Sequence, residues 1–192
     1  MKEHILNLPP ALEQIERATI EANFSMPSDR ETGSLLRTLC SAKPGGRFLE
    51  IGTGTGLSAC WMLSGMSADS SLLSIDNDET VSAIAQHHLS DPKIEFAIGD
   101  GLLVLQSLEN NSFDLIFADA MPGKYESFDL TVCLLRTGGF CVLDDMLPQS
   151  NWPEGHQARV DELMRTIVAD TRLTATFLQY STGLVLCTKV SN

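Results

Sequence analysis

The sequence is short of positive charge. Its 13 Lys and Arg stand against 25 Asp and Glu over 192 residues, a formal net charge of −12, and no Lys/Arg cluster occurs anywhere. Nucleic acid and anionic membranes are held by a basic face, so neither is an expected partner. Long apolar runs are missing as well. None approaches the roughly 18 residues of a membrane span, and Met1-Lys2-Glu3-His4 leads into no apolar signal core. The five cysteines (Cys40, Cys60, Cys133, Cys141, Cys187) form no CxxC and no His/Cys cluster, which excludes zinc sites of the usual spacing and a disulfide framework. Their mostly apolar neighbours predict buried, reduced thiols in a cytoplasmic protein. With no repeat, low-complexity stretch or linker, one domain over 1–192 is expected, an N-terminal helical addition (1–46) preceding the core (47–192).

What is present is regular alternation. After Pro9-Pro10, Leu12, Ile15 and Ala22 share one helical face while Glu13, Glu16, Arg17 and Glu21 take the other, and the helix breaks near Met26-Pro27. A second helix spans roughly Glu31 to Cys40. Strands are then predicted at Arg47–Ile51, Ser71–Asp76, Lys93–Ile98, Phe113–Ala118 and Gly139–Leu143. Between them lie helices at Leu57–Met66, Thr80–Leu89, Leu102–Leu108 and Lys124–Leu135. A longer helix at Glu154–Ala169 carries Val160, Leu163, Met164, Ile167 and Val168 on one face. Leu173–Gln179 and Leu184–Val190 are separated by too little chain for a crossover, so they should pair antiparallel. The predicted fold is α/β: a Rossmann-like, doubly wound, seven-stranded, mostly parallel sheet with a C-terminal antiparallel hairpin and helices on both faces. Its ligand site belongs at the carboxyl ends of the central strands.

The motifs fall at those strand ends. Phe48-Leu49-Glu50-Ile51 runs into Gly52-Thr53-Gly54-Thr55-Gly56, whose alternate glycines leave the backbone open to a ligand. A nicotinamide-binding GxGxxG would need its third glycine at Leu57. Glu50 would also repel a pyrophosphate, whereas a cofactor with a cationic amino-acid tail would tolerate it. Asp76, ending the second strand, is read as an acceptor for ribose hydroxyls, with helix capping as the alternative, and Asp78 as the cap of the next helix. Asp100 is open between accepting an adenine amine and capping the Leu102 helix.

Together, Leu49–Gly56, Ser74-Ile75-Asp76, Gly99-Asp100-Gly101, Phe113–Ala120 and Leu134–Phe140 resemble a class I S-adenosylmethionine-dependent methyltransferase. Within that superfamily the chain is most similar to the small O-methyltransferases of the catechol and caffeoyl-CoA type. The resemblance implies methyl transfer from S-adenosylmethionine to a small-molecule acceptor at a hydroxyl oxygen, and a homodimer. It sets the cofactor against Glu50, Gly52, Thr53, Gly54, Gly56, Asp76, Asp100 and Asp119. A nicotinamide-dependent oxidoreductase and a non-catalytic cofactor-binding protein are the alternatives. The relatives hold a divalent cation on residues matching Asp119, Asp144 and Asp145, oxygen ligands that suit Mg²⁺. They usually read Asp-Ala-Asp-Lys with a tyrosine six residues after the first aspartate. Here Asp119-Ala120-Met121-Pro122-Gly123-Lys124-Tyr125 keeps the tyrosine, but Met121 and Pro122 replace the second aspartate and the lysine. Asp145 stands where they carry asparagine. Lys124 is read first as a solvated lysine opening a helix; a Pro-Gly turn would otherwise swing its ammonium back to the site. His156, on a loop that carries Trp152, is read first as a surface residue and otherwise as the general base of a metal-free reaction.

Overall fold

The computed structural model describes residues 7–192; the Met1–His4 segment weighed above lies outside the described residues. Two helices, α1 (Leu12–Glu21) and α2 (Arg30–Ser41), precede the sheet. The core then alternates β1 (Arg47–Ile51), α3 (Leu57–Gly65), β2 (Ser71–Asp76), α4 (Glu79–His88), β3 (Ile94–Ile98), α5 (Gly101–Ser107), β4 (Phe113–Ala118), α6 (Phe128–Leu134) and β5 (Leu135–Leu143). It closes with α7 (His156–Ala169), β6 (Leu173–Leu178) and β7 (Leu184–Lys189). The sheet order is β3-β2-β1-β4-β5-β7-β6. All pairs up to β5 are parallel, and β7 runs antiparallel to both β5 and β6, as the short β6–β7 connection requires.

Strand alternation gives the sheet two buried faces. Leu49, Ile51, Ile116, Ala118, Cys141 and Leu143 point to one side, where α5, α6 and α7 contribute Leu105, Val132, Leu163 and Ile167. Phe48, Leu115, Phe117 and Val142 point to the other, against Ile15, Leu36, Trp61 and Ala85 from α1 to α4. The helices therefore do cover both faces.

Several expectations need correction, among them Val168 of α7, which is exposed, and Cys133, which is only half-buried. Ala22 is exposed, and Thr19 takes the third buried position of α1, because its hydroxyl bonds the Ile15 carbonyl and Thr55. The helix expected from Lys124 begins only at Phe128. The preceding residues are held in a turn by Gly123 N–H on the Glu126 carbonyl (2.7 Å) and Tyr125 N–H on the Met121 carbonyl (3.0 Å). Finally β5 begins at Leu135 rather than Gly139, since Leu135 already pairs with Phe113 before a register shift.

Candidate active site

The glycine loop leaves β1 beside β4, where the strand order reverses direction. Gly52 N–H bonds the Ile75 carbonyl and Asp119 N–H bonds the Ile51 carbonyl, both at 2.9 Å. These tie the ends of β1, β2 and β4 together. Gly52 has φ +105°, and a Cβ there would lie 2.9 Å from the Asp119 carbonyl oxygen, so this crossing admits only glycine. Gly56 serves packing, because a Cβ would lie 2.7 Å from Ala85 Cβ. Beneath the loop, Glu50 is fully buried. It accepts from Ser74 Oγ, which also pairs with Thr53 Oγ1 at 2.6 Å, while Glu50 Oε1 has no well-formed hydrogen bond. Burial pushes this carboxyl up to about 7, against the opposing pull of the Ser58 and Ser74 hydroxyls.

Asp76 organises the loop directly. Its Oδ2 accepts from Gly54 N–H at 2.7 Å and its Oδ1 from Asp78 N–H at 2.9 Å. Asp78 caps α4, accepting from Thr80 and Val81. Asp100 caps α5 through Leu102 and Leu103 N–H, which answers the capping half of the alternative left open for it. A cavity of about 420 Å³ lies over these strand ends. Its walls include Gly52, Thr53, Gly54, Asp76, Gly101, Asp119 and Asp145, and the α1–α2 connection covers it with Phe24, Met26, Pro27 and Ser28.

The acidic residues ending β4 and β5 are buried or half-buried beside this cavity. Burial, with Asp144 next to it, holds Asp119 well above the usual carboxylate range, while Lys124 draws it down. Burial raises Asp144 to about 6 against hydrogen bonds from Thr182 Oγ1 and Asp145 N–H. Lys124 is not solvated: it is 3% exposed, donates to the Asp144 carbonyl, and lies over the Tyr125 ring at 4.8 Å. The Pro-Gly turn thus swings the ammonium inward, overturning the surface reading. His156 sits at 3.2 Å from the Tyr125 hydroxyl and 4.5 Å from the Trp152 ring centroid. Burial, then Lys124 and Arg159, depress its pKa. It is half-buried in an aromatic cluster, and neither it nor Lys124 is among the residues lining the cavity.

The profile of the O-methyltransferase family matches residues 2–190. The chain belongs to this family. A protein of Mycolicibacterium smegmatis named "Putative O-methyltransferase" is 32% identical over 164 residues, covering 80% of this chain and 78% of that one. Among solved structures, the O-methyltransferase from Bacillus cereus in complex with SAH superposes with a TM-score of 0.85 at 22% identity, covering 97% of this chain and 94% of that one. The O-methyltransferase from Streptomyces achromogenes involved in tomaymycin synthesis, in complex with SAM, gives 0.85 at 23% identity, with 98% and 93% covered. The sheet order and the terminal antiparallel pair are those of an O-methyltransferase fold, and the nicotinamide-dependent alternative is not favoured.

Two features of this O-methyltransferase lay outside the sequence reading. The cover formed by Phe24 to Ser28 was legible only as a helix break at Pro27. The β6–β7 turn reaches the site through Thr182 on Asp144, a contact 38 residues apart in sequence with no local pattern to mark it. The expected divalent-cation set also fits poorly. Asp144 Oδ1 is already engaged by Thr182 and Asp145, and the Lys124 ammonium lies at the Asp144 backbone carbonyl. Among the described residues no three His, Cys, Asp or Glu side chains are grouped to hold a metal ion.

Proposed function

We propose that this O-methyltransferase transfers the methyl group of S-adenosylmethionine to a hydroxyl oxygen of a small molecule. The observation that carries this is the cavity over the glycine loop, with a buried carboxylate beneath the loop and Asp76 at its side. The residues suit this cofactor: Gly52, Thr53 and Gly54 line the cavity, with Asp76 beside them and the buried Glu50 carboxyl beneath the loop. Gly52, Thr53, Gly54 and Gly56 shape the loop against the methionine part. Asp76 keeps lone pairs for the ribose hydroxyls beyond the two N–H groups it already accepts. Gly101, presented by the Asp100 cap, borders the adenine region, and Asp119 stands between cofactor and acceptor. When bound, S-adenosylmethionine would supply an electrophilic methyl group for the acceptor oxygen, the C–S electron pair staying with sulfur and the hydroxyl proton leaving to bulk solvent. The protein's part is to align the two, to exclude water under the cover of residues 24–28, and to hold the acceptor oxygen at the acidic rim.

In this reading the N-terminal addition closes, through residues 24–28, a site built on 47–192. The five thiols carry no disulfide, in keeping with a cytoplasmic location, and no helix among the described residues is long and apolar enough to cross a membrane. Homodimerisation is checked by sedimentation velocity. The test of function is calorimetric titration with S-adenosylhomocysteine. Wild-type protein should bind it, and Asp76→Ala should weaken binding by about tenfold to a hundredfold, the loss of hydrogen bonds to a charged group. Stabilisation by NADH with no heat from S-adenosylhomocysteine would overturn the reading. Cofactor binding without turnover over a broad panel of phenols, catechols and acyl-CoA thioesters would leave a binding protein.

A further inference from the structure

The cation at the acidic strand ends is part of the chain. Lys124 is buried, and of its three N–H groups one donates to the Asp144 carbonyl. The other two have no partner among the described residues, and Nζ makes no ion pair there. A buried ammonium with unspent donors is costly unless a ligand oxygen meets them.

The local fold fixes this placement. Gly123 has φ +74°, and a Cβ there would lie 2.7 Å from Ile51 Cδ1 and 2.8 Å from Thr131 Oγ1. Thr131 Oγ1 holds the Gly123 carbonyl at 2.7 Å. The turn is therefore pressed against β1 and α6, with Lys124 directed inward and Tyr125 beneath its charge. The ammonium sits at the Asp144 carbonyl at the end of β5, and its charge acts on Asp119 and on Asp144, which is itself turned onto Thr182. A dication entering here would meet a fixed like charge and a carboxylate already engaged.

We propose that the Lys124 ammonium, and not a divalent cation, is the positive charge that receives the acceptor's oxygen between Asp119, Asp144 and Asp145. Its two free N–H groups bind the oxygen, whose own proton leaves to bulk solvent as the O–C bond forms. The inference rests on the methyl-transfer reading for the nature of the acceptor, but not for the exclusion of the dication.

The probe is Mn²⁺, its free concentration followed by electron paramagnetic resonance, with wild-type protein, Lys124→Met and Lys124→Arg, and folding checked by circular dichroism. Wild type and Lys124→Arg should take up no stoichiometric Mn²⁺. Lys124→Met, which keeps the aliphatic stem and removes the charge, should gain one site per chain, tighter by about a hundredfold. One Mn²⁺ per wild-type chain overturns the proposal whatever the variants do, and so does a folded Lys124→Met that stays blind to Mn²⁺. If Lys124→Met does not fold, Lys124→Gln replaces it with the same two outcomes. S-adenosylhomocysteine binding, measured separately, tells failure of the methyl-transfer reading from failure of this one.

Discussion

At the scale of single residues, Glu50 carries the clearest pH signature. It is completely buried beneath the glycine loop, and burial raises its carboxyl from 4.5 to about 7. The sign follows from linkage. Below 4.5 both folded and unfolded chains hold the proton; as pH rises the unfolded chain ionises first, and stability falls until the folded carboxyl also ionises near 7. Glu50→Gln keeps the shape and cannot ionise. Between pH 5 and pH 8 the wild type should lose roughly 2 to 3 kcal/mol more unfolding free energy than Glu50→Gln, as read from urea unfolding at both values. Parallel profiles for the two proteins would mean that Glu50 does not stay protonated in the fold. The difference between the proteins is the quantity to measure, because Asp119 and Asp144 are raised too and contribute in both.

Among elements, the approach of α2 to α3 depends on two glycines facing opposite ways. A Cβ on Gly33 of α2 would run into the Trp61 ring of α3, and one on Gly65 of α3 would run into the Arg37 carbonyl of α2. Backbone cannot yield as a side-chain tip can, so Gly65→Ala should destabilise by roughly 2 to 3 kcal/mol, lowering the melting temperature by about 5 to 10 °C in a calorimetric scan. A change under about 1 °C would show that the helices separate at little cost. Elements of this kind were legible where the pattern had one strong period. β2 ends on Asp76 and β4 just before Asp119, because a central parallel strand is buried on both faces and a polar residue marks its exit, while β1 ends at the glycine loop. The segment from Lys124 to Ser127 was misread because its polar residues suit a helix start as well as a turn. What decided between them was Gly123 wedged against Ile51 and Thr131, a tertiary fact. The strand-end carboxylates were legible for the same reason as the strands, whereas the burial of Lys124 was not.

Over the whole molecule, the site is assembled from parts far apart in the chain. Thr19 on α1 bonds Thr55 in the glycine loop at 2.7 Å, and Ser28 reaches Asp119 at 3.5 Å. Asp29 caps α2 and also accepts from Ser181 in the β6–β7 turn, whose neighbour Thr182 holds Asp144. The N-terminal cover, the glycine loop and the hairpin tip therefore touch one another through the site. A ligand in the cavity should tighten all three at once. At about a hundred times its dissociation constant, S-adenosylhomocysteine should stabilise the protein by roughly 2.7 kcal/mol, about 5 to 10 °C in melting temperature. Hydrogen exchange should slow together at Phe24, Met26 and Ser28, across Gly52 to Leu57, and at Ser181 and Thr182. The outer strand β6 lies away from the cavity wall and should keep its rate apart from the global stabilisation. Slowing confined to the glycine loop would mean that the residues covering the cavity take no part in holding the ligand. The α1–α2 connection would then be a static wall, and the coupling of the chain's two ends through Asp29 and Ser181 would serve stability alone.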